Sequence, residues 1–291
     1  MDDIHKFLNY LKVIKKASEY TITNYKLDLE ELYDFNTELL NINDKIVQQY
    51  LEYLYSKGLN RNSISRKLSS IRSFYDYLFK EGKIKQNYFK EINNPKRNES
   101  LPKYAKDNDL EKMFNSFDKT TPLGQRNALI LEMLYATGIR VGELVNIKLE
   151  DINLYYRNIK INGKGSKERM VIYGSYCEDI LNLYVNDGRK KLLKTNNNYL
   201  FLNKNGGKLS SRFIRKILEE VVKKCAIDYH ISPHTLRHTF ATDMLNAGAD
   251  LITVKELLGH SSINTTGIYT HITNEQLKKV YEFAHPRSKE Q

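Results

Sequence analysis

The apolar residues of the first third of the chain recur at helical spacing, and then the pattern stops. Ile4, Phe7, Leu8, Leu11 and Ile14 fall three or four apart, which lines one face of a helix. Tyr25, Leu29 and Leu32 repeat the pattern behind Thr21 or Thr23, either of which can cap a second helix. Ile46, Tyr50, Leu51 and Leu54 predict a third, stopped by Gly58 just past its end. A fourth follows Asn62-Ser63, carries Ile64, Leu68, Ile71, Phe74, Tyr75 and Leu78, and ends at Gly82. An amphipathic stripe must be covered by something. Four of them joined by short links predict a small bundle over residues 1–91.

Residues 92–106, "INNPKRNESLPKYAK", have no period, two prolines and a charge cluster, the composition of a linker. Beyond them, residues 107–291 mix two periods. Asp107 or Asn108 can cap a helix through Phe114, and "QRNALILEMLYATG" is a strongly apolar helix closed by Gly138. "YRNIKINGKGSKERMVIYG" predicts two or three short strands joined by a Gly-Lys-Gly turn. Helices are predicted again at 178–185, 211–225, 234–247, 251–258 and 273–283. Ser232 followed by Pro233 is a strong start signal for the third of these. The fold class is therefore mainly α with a small β-hairpin or sheet, in two domains.

The formal net charge of +11 suggests a polyanionic partner, nucleic acid or an anionic surface. Both halves share it: residues 1–97 hold 17 basic and 13 acidic side chains, a surplus of +4 that leaves +7 for the rest. Two cysteines, Cys177 and Cys225, make neither a disulfide framework nor a metal cluster. The charge-interrupted start "MDDIHKFLNYLKVIKK" is not a signal peptide, and no apolar run approaches the ~20 residues that cross a bilayer. The expectation is a cytoplasmic protein with reduced thiols and no membrane partner.

Four stretches can carry chemistry. In "SPHTLRHTFAT", His234 and Arg237 are three apart in the first turns of a helix, where free N–H groups and the dipole favour an anion; a capping His beside an exposed Arg is the plainer alternative. In "ATGIRVGELVNIKLEDI", Arg140 starts a helical turn among Ile139, Val141 and Leu144, which predicts partial burial and an anionic partner. Glu143 can be that partner, or a phosphate can, gripped by the planar fork. Lys164 sits between two glycines in a hairpin turn, either in water or reaching a leaving-group oxygen. In "LLGHSSINTTGIYTHI", His260 follows a Gly-ended helix and Tyr269 follows nine residues later. No Ser-His-Asp arrangement or metal-ligand set competes. The inventory is donors for an anion plus one hydroxyl that can attack, which suits transfer of a phosphodiester to tyrosine without a metal.

These boxes, in order and correctly spaced, resemble the tyrosine recombinases of the phage-integrase type, most of all the Xer group that resolves chromosome dimers. "NSISRKLSSIRSFYDYL" resembles their core-binding domain and "EFAHPR" their tail. The resemblance implies a four-helix core-binding domain and a mixed α/β catalytic domain that clamp duplex DNA from opposite sides. It implies Tyr269 as nucleophile, Arg140 and Arg237 on the scissile phosphate with His260 beside them, His234 as general base and Lys164 as general acid at the 5′-oxygen. The phosphotyrosyl link conserves the phosphodiester energy, so no cofactor, ATP or metal is expected. Arg61, Arg66, Lys67 and Arg72, on or before the fourth helix, are the expected DNA contacts, with most of the affinity coming from phosphates. Leu277, Val280, Tyr281 and Phe283 form a C-terminal stripe that packs in cis or, as the resemblance suggests, on a neighbouring protomer in a synaptic tetramer. A paralogous recombinase and a DNA translocase are the further partners implied. The alternatives are a mobile-element integrase, disfavoured by the lack of an arm-binding domain before the bundle, a type IB topoisomerase, or a DNA-binding accessory protein that does not cleave.

Overall fold

The computed structural model describes residues 1–92, 104–163, 168–259 and 274–288. The chain divides into two units, Met1–Ser100 and Leu101–Gln291.

The first unit is the bundle of α1 (Asp2–Val13), α2 (Glu19–Phe35), α3 (Asp44–Ser56) and α4 (Arg61–Lys80). Each helix turns its periodic stripe inward: Ile4 and Phe7, Leu29 and Leu32, Tyr50 and Leu54, and Ile64, Leu68, Ile71 and Phe74 are all buried. Short polar side chains define the starts. Ser18, Asn43 and Asn60 accept from the amides of Thr21, Ile46 and Ser63, which would otherwise have no intrahelical partner. The cap of α2 is thus Ser18 rather than Thr21 or Thr23, and α4 begins at Arg61, before Asn62-Ser63. Inside the bundle, Asp28 is 1% exposed. It accepts from both Nη atoms of Arg66 at 2.5 and 2.7 Å, from Lys67 at 3.1 Å and from Ser70 at 2.7 Å. These partners hold its carboxyl below the usual range, although burial pushes the other way.

The second unit is organised on α6 (Pro122–Thr137), which is buried from Ala128 to Thr137. Helices α5 (Asp107–Asn115), α8 (Ser175–Leu183), α10 (Ser211–Lys224) and α11 (Pro233–Asn246) pack against it. After α6 come the short α7 (Val141–Leu144) and an antiparallel sheet of β1 (Ile152–Asn153), β2 (Asn158–Asn162) and β3 (Glu168–Ile172), in the order β1-β2-β3. Ile159, Ile161 and Val171 face the core, with Ile161 opposite Arg169. Ser232 caps α11 and Pro233 is its first residue, as expected. Lys106, not Asp107 or Asn108, occupies the cap position of α5 and makes no side-chain cap bond. α8 starts at Ser175, three residues before the expected 178. A π-helical turn, Tyr184–Gly188, then leads into α9 (Arg189–Leu192), where periodicity predicts nothing.

The last helices are α12 (Leu251–Leu258) and α13 (Asn274–Ala284). Of the C-terminal stripe, Tyr281 is buried in cis with Phe240, Met244 and Leu257, Leu277 and Val280 pack on the same cluster, and Phe283 points outward, 79% exposed. The following His285 is also buried, with its ring 5.0 Å from Tyr135, 5.3 Å from Phe240 and 5.0 Å from Tyr281. Its Nδ1 accepts from the Arg287 amide, and Arg287 Nε donates to the buried Glu132 at 2.7 Å.

Burial lowers the His285 pKa from 6.5 to about 3, and the Arg287 charge pushes the same way. The folded state therefore prefers the neutral ring. Its contribution is complete above pH 6.5 and is lost as pH falls from there toward about 3. At pH 5 the loss is about 2 kcal/mol. Urea unfolding of wild type and His285→Phe at pH 7.5 and pH 5 should show that much smaller a drop in the variant. Equal drops in the two proteins would contradict this assignment.

Candidate active site

The apolar run of α6 ends where Gly138 turns left-handed, with φ of 57°. A side chain there would be strained and would also lie 2.7 Å from Leu258 and 2.8 Å from Phe240. Glycine thus lets the end of α6 close against α11 and α12. Ile139 is buried, and Arg140 then leaves the core in extended conformation at the cap position of α7. Its side chain is 47% exposed, more open than its apolar neighbours predict, because Ile139 and Leu144 turn inward while Arg140 turns out. Glu143 is the anionic partner: its Oε2 accepts from the Arg140 amide and its Oε1 from Arg140 Nη1, each at 3.0 Å.

Arg237 lies one turn into α11 and is 7% exposed. Its Nη1 donates to the Gly138 carbonyl at 2.6 Å and its Nη2 to the Leu258 carbonyl at 2.7 Å. Both carbonyls stand at helix C-termini, which carry partial negative charge. One guanidinium therefore ties the ends of α6 and α12 to α11. Burial, then the charges of Arg140 and Arg169, lower the Arg237 pKa to about 10. It stays protonated at neutral pH in a place where added negative charge is welcome. His234, three residues earlier, is exposed on the first turn of α11.

The residue that sequence reasoning missed is Arg169. It grips Glu143 with both Nη atoms, at 3.0 and 2.8 Å, and its side chain is only 15% exposed. Burial opposes ionisation of Glu143, but the bonds and charges of Arg169 and Arg140 keep its carboxyl below the usual range. A signal was present: Arg169 is two residues before the buried Val171, so strand alternation aims it at the core. Arg140 and Arg169 thus share one carboxylate, and Arg237 stands close enough to feel the charges of all three, a group of net charge +2. Of the other predicted residues, Lys164, His260 and Tyr269 lie outside the described residues. Asn162 and Glu168, the last described pair of β2 and β3, flank Lys164 in the sequence, and Gly259 directly precedes His260.

The four expected DNA contacts differ in placement. Arg61 is exposed at the start of α4. Arg66 is half exposed while holding Asp28. Lys67, 14% exposed, bridges Asp28 and Glu31. Arg72 donates to the carbonyls of Phe89 and Ile92, fastening the segment after α4.

Comparison with known proteins gives these elements a lineage. The phage integrase family matches residues 103–276, and the phage integrase N-terminal SAM-like domain matches residues 4–82. The tyrosine recombinase XerC of Oceanobacillus iheyensis is 45% identical over 98% of this chain and 96% of its own length. That of Staphylococcus saprophyticus is also 45% identical, over 98% and 97%. A solved structure of the XerH site-specific recombinase on a palindromic difH substrate, a post-cleavage complex, is similar with a TM-score of 0.71 and 25% identity, over 96% of this chain and 84% of that one. The chain belongs to the phage integrase family, on its Xer-type tyrosine recombinase branch.

Proposed function

We propose that the chain is a site-specific recombinase that cuts and rejoins duplex DNA through a 3′-phosphotyrosyl link at Tyr269, and that it resolves dimers of chromosomes or plasmids. The observation that carries this reading is the group of cations formed by Arg140 and Arg169 on Glu143 and by Arg237 where the ends of α6 and α12 converge.

In the proposed step the Tyr269 oxygen attacks the scissile phosphorus as His234 takes the phenolic proton. The bond from phosphorus to the 5′-oxygen breaks, and Lys164 gives that oxygen a proton. Arg140, Arg237 and His260 hold the non-bridging oxygens, whose charge grows in the transition state. A 5′-hydroxyl from a partner duplex then reverses the chemistry, and strands are exchanged. Relatives of this chain carry the name XerC, which supports dimer resolution over mobile-element integration. The active assembly is a synaptic tetramer of this chain with itself or a paralogous recombinase, activated by a DNA translocase. In the first unit Arg61 is the candidate for a phosphate contact, while Arg66, Lys67 and Arg72 serve the bundle through Asp28, Glu31 and two backbone carbonyls.

The test is covalent trapping. A suicide duplex bearing the recombination site, nicked so that the freed strand diffuses away, should leave protein attached to DNA. Peptide mapping should place the nucleotide remnant on Tyr269. Attachment elsewhere, or cleavage products with no attached protein, would refute the reading.

A further inference from the structure

The structure assigns Arg169 a positioning role: its fork neutralises and orients Glu143, so that Arg140 remains available to an anion. This rests on the recombinase reading above and adds to it a residue that does not itself touch DNA.

Glu143 has two carboxylate oxygens, and each receives one bond from Arg140 and one from Arg169. The Arg169 contact is the parallel, two-pronged geometry that binds carboxylate most specifically. The Arg140 contact is of another kind, one Nη and the backbone amide, leaving the rest of that guanidinium pointing outward. Remove Arg169, and Glu143 can rotate to take the Arg140 fork with both oxygens. Its negative charge, now uncancelled by Arg169, would also offset the pull of Arg140 on a phosphate.

Backbone placement supports the same role. Arg169 stands opposite Ile161 on the inner face of the paired strands β2 and β3. On its other side is the end of α12. A Cβ built on Gly259, which has φ of 65°, would lie 2.5 Å from Arg169 Cδ and 2.6 Å from Nε. Only a residue without a side chain lets that backbone lie against the guanidinium arm. Leu258, one residue earlier, supplies a carbonyl to Arg237. One side chain, only 15% exposed, therefore registers strand β3, the Arg140 turn and the end of α12. Errors of about 1 Å in such registration cost about 10²-fold in rate.

The experiment compares wild type, Arg169→Gln, Arg169→Lys, Glu143→Gln and the Arg169→Gln/Glu143→Gln double variant. For each, single-turnover cleavage of the suicide duplex, affinity for the intact duplex and thermal midpoint are measured. Arg169→Gln should cleave about 10²-fold more slowly while binding the site within about 3-fold of wild type. Arg169→Lys should not rescue it, since an ammonium cannot form the two-pronged contact. The double variant should be no slower than Arg169→Gln alone, because the carboxylate that Arg169 restrains is gone. Cleavage by Arg169→Gln at the wild-type rate, or a double variant whose defect is the product of the two single defects, would overturn the positioning role alone. A wild-type protein that forms no covalent complex would instead overturn the recombinase reading and this role with it.

Discussion

Tyr269→Phe is expected to bind site-bearing duplex as wild type does and to form no covalent complex at all. The substitution deletes one oxygen. It leaves the aromatic ring, the net charge and every arginine in place, so phosphate-driven affinity is untouched. What disappears is the atom that attacks. A phenol with a pKa near ~10 is a poor nucleophile unaided, and the proposed cradle exists to help it. Gel shift and denaturing electrophoresis of the same reactions separate the two effects. A covalent band from Tyr269→Phe would remove Tyr269 from the mechanism. Loss of binding together with loss of the band would show that Tyr269 shapes the DNA surface as well.

Arg237→Lys is expected to slow single-turnover cleavage by about 10³-fold, equivalent to about 4 kcal/mol of transition-state stabilisation. The charge is retained, so the loss measures geometry. Arg237 holds the Gly138 and Leu258 carbonyls at 2.6 and 2.7 Å with separate Nη atoms, which fixes the plane of the guanidinium. A lysine ammonium presents three donors around one point and cannot span both helix ends while also meeting a phosphate oxygen. One buried carbonyl would be left unbonded, at about 1–3 kcal/mol. The thermal midpoint should therefore fall as well, and cleavage is to be measured well below it. Cleavage within about 10-fold of wild type would show that charge alone suffices there, against the rigid-fork argument.

Much of this site was legible before any fold was seen. Arg140, His234 and Arg237 are readable because each sits next to punctuation: a Gly-ended apolar helix for Arg140, and a Ser-Pro helix start for the other two. The bundle helices were legible for the same reason, since a stripe at a period of 3.6 leaves few other ways to be buried. The caps were less so. Ser18 and Thr21 compete for one helix start, and the choice depends on which hydroxyl meets a free amide. The π-helical turn at Tyr184–Gly188 left no trace in the apolar pattern, because one extra residue in a turn changes hydrogen bonds rather than composition.

The order of motifs along the chain, its helical periodicity and its basic surplus are properties of the sequence, and they sufficed to name the chemistry and its family. They are local, or additive over residues, and need no knowledge of distant neighbours. Tertiary structure alone decided which cations do which work. Arg66, Lys67 and Arg72 read identically as basic side chains on one helix, yet a buried Asp28 and two backbone carbonyls claim them. Arg140 and Arg169 are 29 positions apart and share one carboxylate. A carboxylate's choice of partner is settled by distance and desolvation, and those exist only once the helices have packed.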